Sequence, residues 1–92
     1  MKSRTTARFW HQFEKLPAEI RRSASHTYEI WRNDPWYPSL HFKRVGNRLP
    51  VWSVRIDHRW RALAHREADG TFVWFWIGPH DEYDRLIGGS DD

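Results

Sequence analysis

Two sets of side chains in this sequence suit chemistry on a phosphate: arginines at alternating positions, and a histidine close to a tyrosine. Arg55, Arg59 and Arg61 fall within the stretch LPVWSVRIDHRWRALAH, residues 49–65. A guanidinium is always charged and planar, and it grips a phosphate through two parallel N–H···O bonds. Lys43, Arg44 and Arg48 precede this stretch and add charge that steers a polyanion. His80 opens the segment HDEYDRLI and is the best single proton-transfer group in the chain. Tyr83, three residues on, has two uses: donating or stacking toward a ligand, or packing on Trp74 or Trp76. Arg61 likewise has a structural use, a salt bridge to Asp57 or Glu67. Asp81, Glu82 and Asp84 fit a solvated turn better than a catalytic carboxylate pair, with Asp81 or Glu82 placed to orient His80. The remaining histidines, His11, His26, His41, His58 and His65, match no compact ligand spacing and have no cysteine beside them, so neither a metal nor a cofactor is expected.

These groups need a rigid support, and the hydrophobic pattern supplies one. Trp52, Val54 and Ile56 alternate with Ser53, Arg55 and Asp57; Trp60, Ala62 and Ala64 alternate with Arg59, Arg61 and His65, interrupted by Leu63. Period-two alternation marks paired strands with one face for a core and one for a ligand. An earlier strand is expected from Leu40 through Phe42 to Val45, with His41 and Lys43 on its other side and a reversal at Gly46 and Asn47. Asp69 and Gly70 read as a hairpin turn. The strand after it, Thr71 to Ile77, is apolar on both sides, with Phe72, Trp74 and Trp76 expected on one and Val73, Phe75 and Ile77 on the other. Such a strand lies inside a sheet covered on both faces.

Upstream, residues 2–5 read as an edge strand or a disordered lead. Thr5 or Thr6 caps a helix of about ten residues bearing Phe9, Phe13 and Leu16 on one stripe. Pro17 ends it and opens a second helix, in which Ile20, Ala24, Tyr28 and Trp31 recur every three or four positions. Asn33, Asp34 and Pro35, then Pro38 and Ser39, stop that helix. The tail from His80 forms one or two helical turns, and residues 88–92, GGSDD, read as disordered. The expected class is α+β: an N-terminal antiparallel helical hairpin packed on a three- to four-stranded antiparallel sheet, with a short C-terminal helix or tail, in one domain spanning 1–92.

Seven Trp, five Phe and three Tyr among 92 residues give so short a chain the dense core it needs. The net charge is +3, but residues 40–66 hold seven basic residues against Asp57 alone, a surplus of six. A basic segment in an otherwise mildly acidic chain is the footprint of a polyanion ligand. With no cysteine, no apolar run of about 18 residues and no signal segment, the expectation is a soluble cytoplasmic protein without a membrane partner.

The order helix, helix, antiparallel strands resembles the RelE/ParE superfamily of bacterial toxins. The resemblance is carried by Leu16 and Pro17, the turn Asn33–Asp34–Pro35, FKRV at 42–45, VWSVRIDHRWRAL at 51–63 and WIGPHDEYD at 76–84. It implies the toxin of a type II toxin–antitoxin system, neutralised by a small acidic antitoxin. RelE-like members cleave mRNA on the ribosome without metal, and that activity is the one expected here. The alternatives are a ParE-like toxin that binds DNA gyrase and a catalytically inactive, antitoxin-binding relative.

By position, Arg55 is similar to a basic residue of the RelE-like central strand, and Arg61 to the arginine after the aromatic residue on the next strand. His80 and Tyr83 fall where RelE-like tails keep basic and tyrosine side chains. Ser53 stands where some relatives have lysine, and the resemblance to relatives with histidine in the tail implies His80 as the substitute for that missing cation. The expected catalytic set is therefore Arg61, His80, Tyr83 and Arg55, with Lys43, Arg44, Arg48 and Arg59 binding RNA. Cleavage needs a ribose 2′-hydroxyl deprotonated, a phosphorane stabilised and a 5′-oxygen protonated, which imidazole and guanidinium groups together provide.

Overall fold

Local chemistry sets the boundaries of the helices. Thr6, in an extended conformation, accepts the Phe9 N–H on its hydroxyl at 3.1 Å and caps α1 (Ala7–Glu14). Pro17 opens α2 (Ala18–Asn33), and its carbonyl accepts the N–H groups of Ile20 and Arg21 at 2.9 and 3.0 Å. The computed structural model describes residues 2–46 and 50–88. The Asn47 part of the expected turn and residues 89–92 of the expected tail lie outside them.

Five strands form one sheet: β1 (Ser3–Thr5), β2 (Lys43–Val45), β3 (Val51–Asp57), β4 (Trp60–Arg66) and β5 (Phe72–Pro79). Their order is β1-β5-β4-β3-β2, with β1 parallel to β5 and every other pair antiparallel. The sheet exceeds the expected three or four strands because residues 3–5 pair with Phe72 to Trp74. β2 is shorter than the Leu40–Val45 expectation. Pro38–Leu40 coils into a 3₁₀ turn and His41 takes a left-handed conformation, so pairing starts only at Lys43. The chain then ends in α3 (His80–Ile87), two helical turns closed by Gly88 at φ 92°.

One expectation about β5 is corrected by a bulge. Leu63 of β4 pairs with Trp76, whereas Ala64 pairs with Trp74, leaving Phe75 as an extra residue. A bulge reverses the alternation beyond it. Trp76 therefore joins Phe75 on the α3 side, and Ile77 joins Trp74 on the side of α1 and α2. Strict period-two reading placed both residues on the wrong face.

Both faces of the sheet are covered. On one, α1 rests across β5 and α2 across β3, burying Leu16, Ile20 and Trp31 against Phe42, Val54, Ala62 and Trp74. Trp31 is the centre of this core: only 1% exposed, it meets Phe42, Phe72 and Trp74 edge-on at 5.2 to 5.7 Å. The two arms of the hairpin stand apart over a groove of about 580 Å³, walled by Phe9, Trp10, Phe13 and Tyr28. Gln12 pins α1 to the sheet by accepting the Ile77 N–H at 3.1 Å, beyond the end of β1 where no strand can take it. On the other face α3 lays Tyr83 and Ile87, one turn apart, over Val45, Leu63 and Trp76.

Candidate active site

In antiparallel strands, residues directly opposite share a face. Arg55 of β3 lies opposite Arg61 of β4, which lies opposite Gly78 of β5, so the α3 face carries one row with two guanidiniums. Like charges in register oppose folding unless acceptors or an anion offset them. Arg61 is half-buried, and its Nη1 donates to the main-chain carbonyls of Asp57 and Trp60, the latter at 3.0 Å. Gly78 is needed in this row because a Cβ there would sit 2.6 Å from Cζ2 of Trp76. The Trp76 indole thus lies across the glycine and floors the row beside Arg61.

α3 brings the remaining groups to the same end of the sheet. The His80 N–H donates to the Arg59 carbonyl at 2.7 Å, fixing the first residue of the helix to the turn between β3 and β4. That turn is itself held by the Asp57 carboxylate, which accepts the Arg59 N–H at 2.8 Å. The His80 Nδ1 lies 3.1 Å from Oδ2 of Asp84, one helical turn on, and both side chains are about one-third exposed. The buried Tyr83 ring is the shared neighbour: its centroid lies 5.5 Å from the His80 ring and 5.9 Å from Arg61 Cζ. A carboxylate-held imidazole and a guanidinium so placed can move a proton and bind an oxyanion at one spot.

Of the expected catalytic residues, Arg61, His80 and Tyr83 meet here, with Arg55 in the same row. Tyr83 is fully enclosed, so its ring packs with Trp76 and Leu63 and does not present a stacking surface. Lys43 is on this face too, opposite Ser53 and one row from Arg55. It therefore brings an ammonium from β2 toward the place where β3 has serine. Arg44, next to Lys43 on the strand, points to the other face beside Trp52, so the two cations do not share a face. Arg59 is exposed at the turn, and its established contacts are those of its backbone. Arg48 lies outside the described residues.

Asp57 and Glu67 are the two acids weighed above as salt-bridge partners of Arg61. Asp57 offers its carbonyl, and Glu67 pairs with Arg4 at 2.5 Å. Asp84 was missed as the partner of His80, although its i,i+4 spacing on a short helix is the signal that names it over Asp81 and Glu82. Among the described residues no group of three or more His, Cys, Asp or Glu side chains gathers, and no helix is long and apolar enough to cross a membrane.

The profile of the ParE-like toxin domain matches residues 18–85, a span containing α2, β2 to β5, His80, Tyr83 and Asp84. The chain belongs to the ParE-like toxin family. This agrees with the expected place in the RelE/ParE superfamily, and solved structures agree on the fold. The toxin–antitoxin complex RelBE2 from Mycobacterium tuberculosis is 18% identical, with TM-score 0.67, covering 85% of this chain and 95% of that one. The YoeB/ParE toxin from Agrobacterium tumefaciens is 15% identical, with TM-score 0.68 and coverage of 87% and 99%. The RelB–RelE antitoxin–toxin complex from Methanococcus jannaschii is 13% identical, with TM-score 0.69 and coverage of 90% and 96%. No curated protein matches this ParE-like sequence.

Proposed function

We propose that this ParE-like protein is the toxin of a type II toxin–antitoxin pair and acts as a metal-free, ribosome-dependent mRNA endoribonuclease. The observation that carries the reading is the convergence of the His80–Asp84 pair with Arg61 around Tyr83 at one end of the sheet. With Nδ1 held by the Asp84 carboxylate, Nε2 is the basic nitrogen of the neutral ring. His80 takes the proton of a ribose 2′-hydroxyl, the 2′-oxygen bonds to phosphorus, and the bond from phosphorus to the 5′-oxygen breaks. The departing 5′-oxygen is protonated in turn, by the imidazolium or by water. Arg61, with Arg55 across from it, holds the non-bridging oxygens as charge builds on the phosphorane. The groups that act on substrate are thus His80, Arg61 and Arg55, while Asp84 and Tyr83 position them.

The test is single-turnover cleavage of mRNA on programmed ribosomes. Arg61→Ala should slow cleavage about a hundred- to thousandfold, as loss of an oxyanion donor does, and Arg61→Lys should recover only part of it. His80→Ala should slow it as well, and Asp84→Asn should lower the rate while the fold, followed by circular dichroism, persists. Parental cleavage by a folded Arg61→Ala protein removes the site from the sheet row. An acidic antitoxin encoded by a neighbouring frame should co-purify with the chain at moderate salt, since the basic segment and exposed aromatics suit one. The second reading, a gyrase-binding toxin, is supported by the ParE-like name of the matching family. Inhibition of gyrase supercoiling without any RNA cleavage selects it.

A further inference from the structure

Away from the His80 end, the chain exposes an aromatic surface between cations. Trp36 is 61% exposed and Tyr37 48%. Single exposed aromatics are ordinary, but Trp36 is the outer member of a connected set. Its ring lies 5.3 Å from Phe42 and 6.2 Å from Trp52, while Phe42 and Trp52 stack at 5.0 Å. Its backbone N–H donates to the Asp34 carboxylate at 3.2 Å, which fixes the main chain that carries the ring. Arg44 stands opposite Trp52 on the same face, and Arg66 lies over the Phe72 ring at 5.3 Å, with Phe72 in turn 5.6 Å from Trp52. Asp34 holds the turn before Trp36, and Glu67, next to Arg66 in the chain, pairs with Arg4.

We propose that Trp36, Trp52, Arg44 and Arg66 form a platform on which single-stranded RNA stacks, separate from the candidate active site. An exposed, rigidly backed indole receives a nucleobase of any type, and flanking guanidiniums receive its phosphates. An exposed ring flanked by guanidiniums stacks a nucleobase and pairs with its phosphates at once, which favours RNA over an acidic protein as the occupant. Trp52 is the second residue of β3 and Arg66 the last of β4, whereas Arg55 and Arg61 lie toward the opposite ends of those strands and on the other face. The platform therefore grips nucleotides flanking the scissile phosphate, not the reacting one. The proposal rests on the reading that the chain acts on RNA.

The experiment measures anisotropy of a labelled 12-nucleotide oligoadenylate RNA against the parent and four variants, with circular dichroism as the check on folding. Trp36→Ala should weaken binding roughly 5- to 150-fold, the range of one lost base–aromatic stack, and Trp36→Phe should restore most of it. Arg44→Gln should weaken binding and lower the salt slope by about one phosphate contact. Trp10→Ala, which removes another exposed indole bonded to Thr5, should bind like the parent. The platform is refuted if Trp36→Ala and Arg44→Gln bind like the parent, or if Trp10→Ala loses as much. It is refuted equally if a parent protein binds no single-stranded RNA, or if the Trp36 change weakens only an acidic protein partner. A parent that binds RNA through Trp36 yet leaves mRNA intact on ribosomes overturns the cleavage reading and keeps the platform. Ribosomal cleavage with RNA binding indifferent to Trp36 does the reverse.

Discussion

The two faces of the sheet are built from the same three strands but to different ends. Toward α1 and α2 the buried positions of these strands are apolar, and Trp31 sits among edge-on aromatic rings. Toward α3 the apolar part is small, and the row Arg55, Arg61, Gly78 continues it with charge. The pleat separates these sets at no cost in length, since neighbouring residues on a strand point to opposite sides. The comparison teaches that stability resides mainly on the helical face and chemistry on the tail face.

Trp31→Ala is the largest test of that division. Emptying this site should cost about 3 to 5 kcal/mol, a large share of the roughly 5 to 14 kcal/mol that a chain of this length has in total. Urea unfolding should show the midpoint falling steeply. Arg61→Ala, measured the same way, should move it far less; equal losses would show that the two faces share the load. Gly78→Ala comes next, at about 1 to 3 kcal/mol of overpacking, because the added methyl meets the Trp76 ring. Thermal unfolding measures that loss. On the tail face it should bring a drop in cleavage as well, since Trp76 floors the Arg61 row, whereas Trp31→Ala protein that remains folded should keep its turnover.

How far the sequence alone could reach also differs between the faces. The helical face was legible because its apolar positions keep a strict period: the Thr6 cap, the Pro17 break, and Trp52, Val54 and Ile56 all stand where the pattern put them. The tail face was harder to read. Phe75 is the extra residue of a bulge, and nothing in an all-apolar run marks which residue is extra, so Trp76 and Ile77 were exchanged. β1 was undecidable because its partner is 69 residues away, Ser3 pairing with Phe72, and the pairing is parallel. At the site, the alternation at Arg55 and Arg61 gave the row, but Lys43 and Arg44 were grouped by proximity in sequence when the strand sends them apart. Asp84 was not named as the partner of His80 because the tail was read as a turn or two, without committing to the helix whose spacing pairs them.

The smallest expected effect belongs to the turn at the other end of β4 and β5, and it sharpens the comparison by touching neither face. The Asp69 carboxylate accepts the Thr71 N–H at 2.9 Å, and Gly70 follows at φ 92°. This backbone bond, then one from the Thr71 hydroxyl, holds the Asp69 carboxyl below the usual carboxylate value. A group whose value is lowered by folding stabilises the fold above its unfolded value, and that stabilisation is lost as pH falls through the folded one. Asp69→Asn keeps an acceptor oxygen but cannot titrate. The parent should therefore be slightly more stable than Asp69→Asn at pH 7, with the gap closing in acid below about pH 4. Urea midpoints at pH 7 and pH 3 give the two differences. A gap that stays constant across that range would mean that the carboxylate charge contributes nothing to this turn. Cleavage by the Asp69→Asn protein should match the parent, because the hairpin lies at the far end of the strands from His80 and Arg61.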